Sequence, residues 1–469
     1  MKIRYPLAGL SLCFAVFALL PSASAHRTGN AITFNKDIAP IFFKSCAECH
    51  RPSEAAPFSV LSYKDVRPWA KSIKEKVVSR AMPPWHAAAH VGEWANDPRL
   101  SQPEIDAITA WVDGGAPEGA ANDLPPVPQF TAGWRIGQPD VVIPMPETFK
   151  LAAKGPDEYQ YFEVDPGFKQ DTFVQQAEAR PGNRRIVHHI IVFIKPPTAD
   201  AAEPKLSQAE IDKQEQAKIS YQEGFLVRTK AGAPVHDDAC SLPNGGAGVQ
   251  HDGKDDAGEI VWLAAYAPGT PPYRLPVGTA IKVPAGSKLL FQIHYSKALG
   301  SAQTDRSSIG LVFAKQPSAN QPAAKELLVR AVHNEYFRIP AGAAEHRVTA
   351  CWTVPTDISV FSLMPHMHMR GKSQRIEAFY PDGRRAVLLD VPRWDFAWQT
   401  NYEPRRALTL PKGTRVLVTS TFDNSARNKF NPDPTSDVRW GEPTYDEMLI
   451  AFISYTGLHQ ADSRKADNR

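Results

Sequence analysis

Leu289-Leu290-Phe291-Gln292-Ile293-His294 alternates at the period of a β-strand. Successive strand side chains point to opposite faces, so Leu289, Phe291 and Ile293 share one face and Gln292 and His294 the other. Short apolar or alternating segments of this kind recur at residues 185–195, 288–295, 357–363, 414–422 and 448–455, separated by Pro and Gly. That rhythm predicts β-sandwich or barrel structure over the last two thirds of the chain. The 42 prolines also favour loops and short strands over long helices. Residues 199–258 interrupt the rhythm with a polar, charge-rich stretch containing one predicted helix at 207–221, and read as a surface insertion. The β region is long enough for two sandwich domains.

Upstream the pattern changes. Residues 35–44 carry Ile38, Ile41 and Phe42 at helical spacing, and 63–80 form a second helix candidate with Pro68 in its first turns. Ser101-Gln102-Pro103-Glu104 is a capping box with Pro in the first turn; Ile105, Ile108, Trp111 and Val112 follow on one face, and Gly114-Gly115 ends the helix. Residues 121–133 contain Leu-Pro-Pro-Val-Pro, which reads as a stiff linker. Residues 1–25 read as a secretory signal: Lys2 and Arg4, an apolar run from Leu7 to Leu20, then Ala23-Ser24-Ala25 as the cleavage site. No later segment is apolar enough to span a bilayer, so a periplasmic or secreted protein with no membrane span after signal removal is expected. A length of 469 residues suggests about three domains at the usual ~150 residues each. A formal charge of +3 gives no case for nucleic acid.

Within the helical region lies Cys46-Ala47-Glu48-Cys49-His50. In C-x-x-C-H the two thiols bond the vinyl groups of a c-type haem and the His ligates its iron. Zinc would need a second ligand pair, and no second C-x-x-C exists. Cys46, Cys49 and His50 are therefore expected to hold covalent haem c. Met82, in Arg80-Ala81-Met82-Pro83-Pro84-Trp85, is the expected sixth ligand, with His86 and His90 as competitors. Helix, motif, helix, Met loop, helix is the order of a small class I cytochrome c. Cys240 and Cys351 remain; an oxidising compartment would let them pair, and two free thiols are the alternative.

Five histidines sit in the strand-like segments: His188-His189, His294, and His366-Met367-His368, whose spacing puts two imidazoles on one face of a strand. Adjacent histidines cannot share a face in a regular strand, so His188 and His189 could bind one metal only through a local twist or different ring nitrogens. Imidazole suits zinc and copper alike, and Met364, Met367 and Met369 around the H-x-H lean toward copper.

From about residue 134 to 458 the chain resembles the copper type II, ascorbate-dependent monooxygenases, which include peptidylglycine α-hydroxylating monooxygenase and dopamine β-monooxygenase. The family's His-His pair matches His188-His189; its Q-x-H-Y matches Gln292-Ile293-His294-Tyr295; its H-x-H followed by Gly-Lys matches His366-Met367-His368 with Gly371-Lys372; its Asp-Glu-Met matches Asp446-Glu447-Met448. The resemblance implies two tandem all-β antiparallel, jelly-roll-like sandwich domains, at 134–320 and 321–469, after an all-α cytochrome c domain at 26–120. Each sandwich would hold one copper, with a solvent cleft between. His188, His189 and His294 would hold an electron-transfer copper; His366, His368 and Met448 would hold the catalytic copper that binds O2.

Departures from the family bear on substrate. The Arg two residues before the family's H-x-H is Met364 here, and the Asn and Tyr after its Met ligand are Ile450 and Phe452. Alternation places Met448, Ile450 and Phe452 on one face. The implied pocket is apolar and lacks a carboxylate clamp. The expectation is an exported copper monooxygenase hydroxylating a C–H bond of a small apolar or aromatic substrate with O2. Its haem would pass on electrons from a small reductant or respiratory carrier. A non-enzymatic copper-binding cytochrome is the alternative. A zinc hydrolase is disfavoured, because no acid stands in a general-base position beside the H-x-H.

Overall fold

The computed structural model describes residues 31–458 apart from 53, 55, 131–132, 156, 198–234, 239, 241–260, 268–271, 273, 316–322 and 442. The expected signal segment and the helix at 207–221 lie outside the described residues. The described residues are mostly β-sheet, and among them a few short helices lie in the N-terminal part.

Those helices are α1 (Ala39–Ser45), α2 (Tyr63–Val66), α3 (Ala70–Val78) and α4 (Gln102–Asp113). The capping box forms as the sequence predicts: Ser101 accepts from Glu104 N while the Glu104 side chain returns to Ser101 N. Pro68 lacks the N–H that a continuous helix needs, and residues Arg67–Trp69 tighten into a 3-10 turn between α2 and α3. Phe34, Phe42, Ile108 and Trp111 form the buried core, closed by Tyr63 Oη donating to Ala116 O at 2.9 Å. The Pro-rich segment folds back on this core through Leu124 and Phe130.

Two pairs of packed sheets follow. In the first, β1 (Val141–Pro144), β10 (Ser308–Phe313), β4 (Thr172–Arg180), β7 (Thr279–Val283) and β11 (Lys325–Glu326) lie in that order. They face β3 (Glu158–Val164), β8 (Lys288–Tyr295), β5 (Val187–Lys195) and β6 (Val261–Tyr266). A side ladder joins β2 (Phe149–Leu151) to β9 (Gln303–Asp305). Leu289, Phe291 and Ile293 enter the shared core with Ile190, Val192, Ile309 and Leu311, as the alternation requires. The opposite face is covered as well: Gln292 and His294 are buried.

In the second pair, β12 (Leu328–His333), β21 (Ile450–Gly457), β15 (Ile358–His366) and β18 (Leu408–Leu410) form one sheet. The other holds β14 (His346–Thr353), β19 (Arg415–Phe422), β16 (Gly371–Phe379) and β17 (Arg385–Val391). β13 (Arg338–Ile339) pairs with β20 (Val438–Arg439). Named strand pairs are antiparallel except β7 with β11.

Three connections tie the parts together. Residues 85–97 leave the helical core and lie on the second sheet pair, where Trp85 and Trp94 pack against Tyr402 with ring centroids at 4.8 and 5.4 Å. Backbone bonds from Ala88 N to Asp390 O (2.8 Å) and Ala95 N to Glu403 O (2.7 Å) fix this strap. Next, the C-x-x-C-H loop meets the first sheet pair through Glu48 with Arg135 and Glu54 with Arg184, the latter at 3.2 Å. Finally, the segment joining β5 to β6 crosses to the second pair. Asp238 bridges Thr349, and Cys240 is disulfide-bonded to Cys351 of β14. The two cysteines thus pair, and the described residues 235–238 and 240 of the insertion meet the second sheet pair.

Candidate metal centres

His188, His189 and His294 stand on adjacent strands β5 and β8, with one ligand atom from each within 4.8 Å of the others. The adjacency problem posed by the sequence is solved by a β-bulge. Val187 pairs with Tyr295 and His189 with His294, so His188 is the extra residue. An inserted residue turns the strand locally and lets two neighbours face one way. Their Nδ1 atoms approach to 3.4 Å, and both rings lie close to His294, with centroids at 4.8 and 5.1 Å. Tyr159, opposite His294 in the β3–β8 ladder, stacks on its ring at 4.3 Å. Neither ring nitrogen of buried His294 has a hydrogen bond, although Nε2 lies at ion-pair distance, 3.4 Å, from Asp157. A buried polar atom without a hydrogen bond is costly, and three converging imidazoles are a copper or zinc donor set. These residues fit a metal ion. Burial, then the neighbouring His294 and His188, hold His189 well below the ordinary histidine pKa.

The second cluster lies at the end of β15. Its rings His366 and His368 are 5.2 Å apart. Only His366 belongs to the strand; His368 follows it, yet the alternation persists, with buried Met367 turned into the core. His366 Nδ1 lies 2.5 Å from Gln399 Oε1, and His368 Nδ1 lies 3.3 Å from Asp446 O. With Nδ1–H as donor in each, Nε2 of both rings is left for a metal. Burial is the main cause that lowers both pKa values. Met448 is buried two residues before β21 begins, not on the regular strand the alternation predicts. Buried Glu447 connects it to the histidines: the carboxylate accepts from His368 N, Arg370 N and Met448 N. Gly371 is required by close approach, since a Cβ there would stand 2.5 Å from Trp394 Cδ1.

Met364 and His366 share a face of β15, and in the register Met364 opposes Phe452 while His366 opposes Ile450. A small cavity beside them is lined by Trp262, Val329, Met364, Asn401, Phe452 and Ser454. Its wall therefore includes two of the three positions where the chain departs from the resembled family.

In the helical unit, the backbone N of Cys49 and of His50 both donate to Cys46 O, so the motif is a single turn. His50 Nδ1 lies 3.2 Å from Phe58 O, which orients the ring and leaves Nε2 as a ligand. Neither Cys46 nor Cys49 is in a disulfide, and burial pushes the Cys46 thiol up to about 12. The donor set fits a covalently attached haem. Met82 opens the strap, its N bonded to Lys76 O. His86 lies on the second sheet pair, where Tyr402 bonds its backbone and Asp395 and Arg393 are its charged neighbours.

Tyr159, Gln399, Phe396 and the clamp role of Glu447 were not legible in the sequence. The dense aromatics of Trp394-Asp395-Phe396-Ala397-Trp398 were the one signal available for that loop.

No protein-family model matches the chain. Among solved structures it is similar to PNGF-II at a TM-score of 0.28 and 11% identity, over 68% of this chain and 66% of that one. It is also similar to Sulfolobus turreted icosahedral virus at 0.17 and 9%, over 69% and 62% of the two chains. Infectious bursal disease virus, Gt strain, gives 0.16 and 10%, over 68% and 75%. The chain spans just under two thirds of the first two chains. Likeness at these TM-scores carries no argument about this protein.

Proposed function

We propose that this protein is an exported, haem-containing copper monooxygenase: a class I cytochrome c domain joined to two copper-binding sandwich domains. It would hydroxylate a C–H bond of a small apolar or aromatic molecule with O2. The observation that carries the reading is the pair of histidine clusters on neighbouring sheets, one of three imidazoles and one of two imidazoles whose strand end Glu447 ties to the backbone of Met448. Bound copper would supply O2 binding and one-electron chemistry, and bound haem would supply electrons from an outside donor.

The chain's own residues have separable tasks. His188, His189 and His294 hold the first metal, with Tyr159 packed on His294. Gln399 and Asp446 O each keep a proton on Nδ1, of His366 and His368 respectively, so that both rings present Nε2. Met448 offers a soft ligand that favours reduced copper. Met364, Phe452 and Trp262 put apolar side chains into the small cavity beside the second cluster, without a charged group that would hold a carboxylate. Glu54 with Arg184 and Glu48 with Arg135 hold the C-x-x-C-H loop to the sheet pair that carries the first cluster.

The test is metal and haem content of the mature protein, then O2 uptake in the presence of apolar candidate substrates. One haem and two coppers per chain, with O2 consumed in step with a hydroxylated product, are expected. Haem without copper under replete conditions would end the monooxygenase reading. A second reading, an electron carrier without substrate chemistry, is favoured by the small size of the cavity beside Met364. Two coppers with no product-linked O2 uptake would select it.

A further inference from the structure

The resemblance implies a solvent cleft between the two metal sites; in the structure one side chain touches a histidine of each cluster. Phe396 lies on the loop between β17 and β18. Its ring stacks on His188 of the first cluster, with centroids 6.3 Å apart and planes at 11°, and meets His368 of the second edge-on at 6.1 Å. The two clusters are therefore within about 12 Å of each other, and one aromatic ring touches a histidine of each. The same loop is anchored beside Phe396. Trp394 Nε1 donates to His368 O at 3.3 Å, and Gln399 holds His366. Ala397 N bonds Asp395 Oδ1 at 3.0 Å, which fixes the turn that presents the ring.

We propose that Phe396 is the positioning residue that sets the spacing of the two metal sites and forms the packed contact through which single electrons cross between them. The proposal rests on the copper reading above. In the step, one electron leaves reduced copper at His188, His189 and His294, which becomes Cu(II). It arrives at oxidised copper at His366, His368 and Met448, which becomes Cu(I). No proton or bond is exchanged, and the electron is replaced by an external one-electron reductant. The half-buried ring offers bonded matter in contact with a histidine of each site, which is the property such a crossing needs.

The experiment uses full-length protein loaded with haem and copper, in the native form and as Phe396→Tyr, Phe396→Leu and Phe396→Ala. Three quantities are read: copper per chain, the electron–electron dipolar spectrum of the Cu(II)–Cu(II) form, and the rate of intramolecular electron equilibration after a reducing pulse. Expected are two coppers in every variant, with native spacing and rate in F396Y. F396L and F396A should equilibrate at least tenfold more slowly, and F396A should show a broadened distance distribution. Native rates in F396L and F396A with both coppers bound would overturn the proposal while leaving the copper reading intact. Loss of copper from all three variants would make Phe396 a packing residue and overturn it equally. Native protein that binds no copper would fail the functional reading itself.

Discussion

Glu447 Oε2 accepts hydrogen bonds from His368 N at 2.8 Å and from Met448 N at 3.2 Å, so one fully buried carboxylate holds two candidate ligands of the same metal. Glu447→Gln preserves size but can turn an amide NH2 toward backbone donors. The variant should lose about 1–3 kcal/mol of stability through an unmet buried hydrogen bond. It should retain the copper at His188, His189 and His294 and lose the other. Copper analysis and a thermal melt check this; two tightly held coppers in E447Q would show that the clamp is dispensable.

The metal-free protein should weaken in acid. His189 and His368 are held well below the ordinary histidine value, chiefly by burial. The unfolded chain takes up protons on both near pH ~6.5, whereas the folded chain keeps them neutral. Below that pH the unfolded state binds more protons, so the stability contributed by these groups is complete above pH ~6.5 and falls as pH drops toward the folded values, at about 1.4 kcal/mol per unit for each. Copper competes with protons for the same nitrogens, so loading should move the loss to lower pH. Melts of the metal-free and copper-loaded forms between pH 8 and 5 decide it, and coincident curves would refute the assignment.

Trp85 anchors the strap between helical unit and second sheet pair. It is buried, and its ring meets Tyr402 at 4.8 Å. Trp85→Ala should cost about 3–5 kcal/mol at that contact. Limited proteolysis should then cut within residues 85–97 at rates far above native. Unchanged cleavage and an unchanged melt would show that the strap is held by its backbone bonds alone.

The Glu54–Arg184 pair, at 3.2 Å, lies four residues from His188. Both side chains are partly exposed, so Arg184→Ala should change stability by no more than about 1 kcal/mol. On the proposed reading it should nonetheless slow reoxidation of reduced haem by Cu(II), because the loop carrying His50 loses a contact with the sheets that carry the candidate copper ligands His188, His189 and His294. Stopped-flow haem absorbance provides the readout; a native rate in R184A together with E54A would remove this contact from the relay.

How legible these features were depended on their range. The capping box at Ser101 to Glu104, the 288–295 strand and the core face of Leu289, Phe291 and Ile293 follow from chemistry within a few residues. His366 and His368 come together because alternation persists two residues beyond the strand. His188 and His189 resisted, since a β-bulge is set by how β5 meets β8 and not by either residue's neighbours. Gln399, Phe396 and Tyr159 were invisible for the same reason: each acts on a histidine far away in sequence or on another strand.

The sequence alone determined the residue chemistry: thiols and His50 at haem-attachment spacing, five imidazoles on strand-like segments, and a thioether in an Asp-Glu-Met run. It also determined the helix that starts at the Ser101–Glu104 capping box and the 288–295 strand, because periodicity and capping are local properties of the backbone. Tertiary structure decided which groups meet. A bulge turned two adjacent histidines to one side, the 85–97 strap left the helical core for Tyr402, and the disulfide carried the β5–β6 insertion across to β14. It also set Phe396 against a histidine of each cluster. The reason is physical: hydrogen-bond register, burial and ring packing are energies of pairs distant along the chain, and no local pattern fixes their partner.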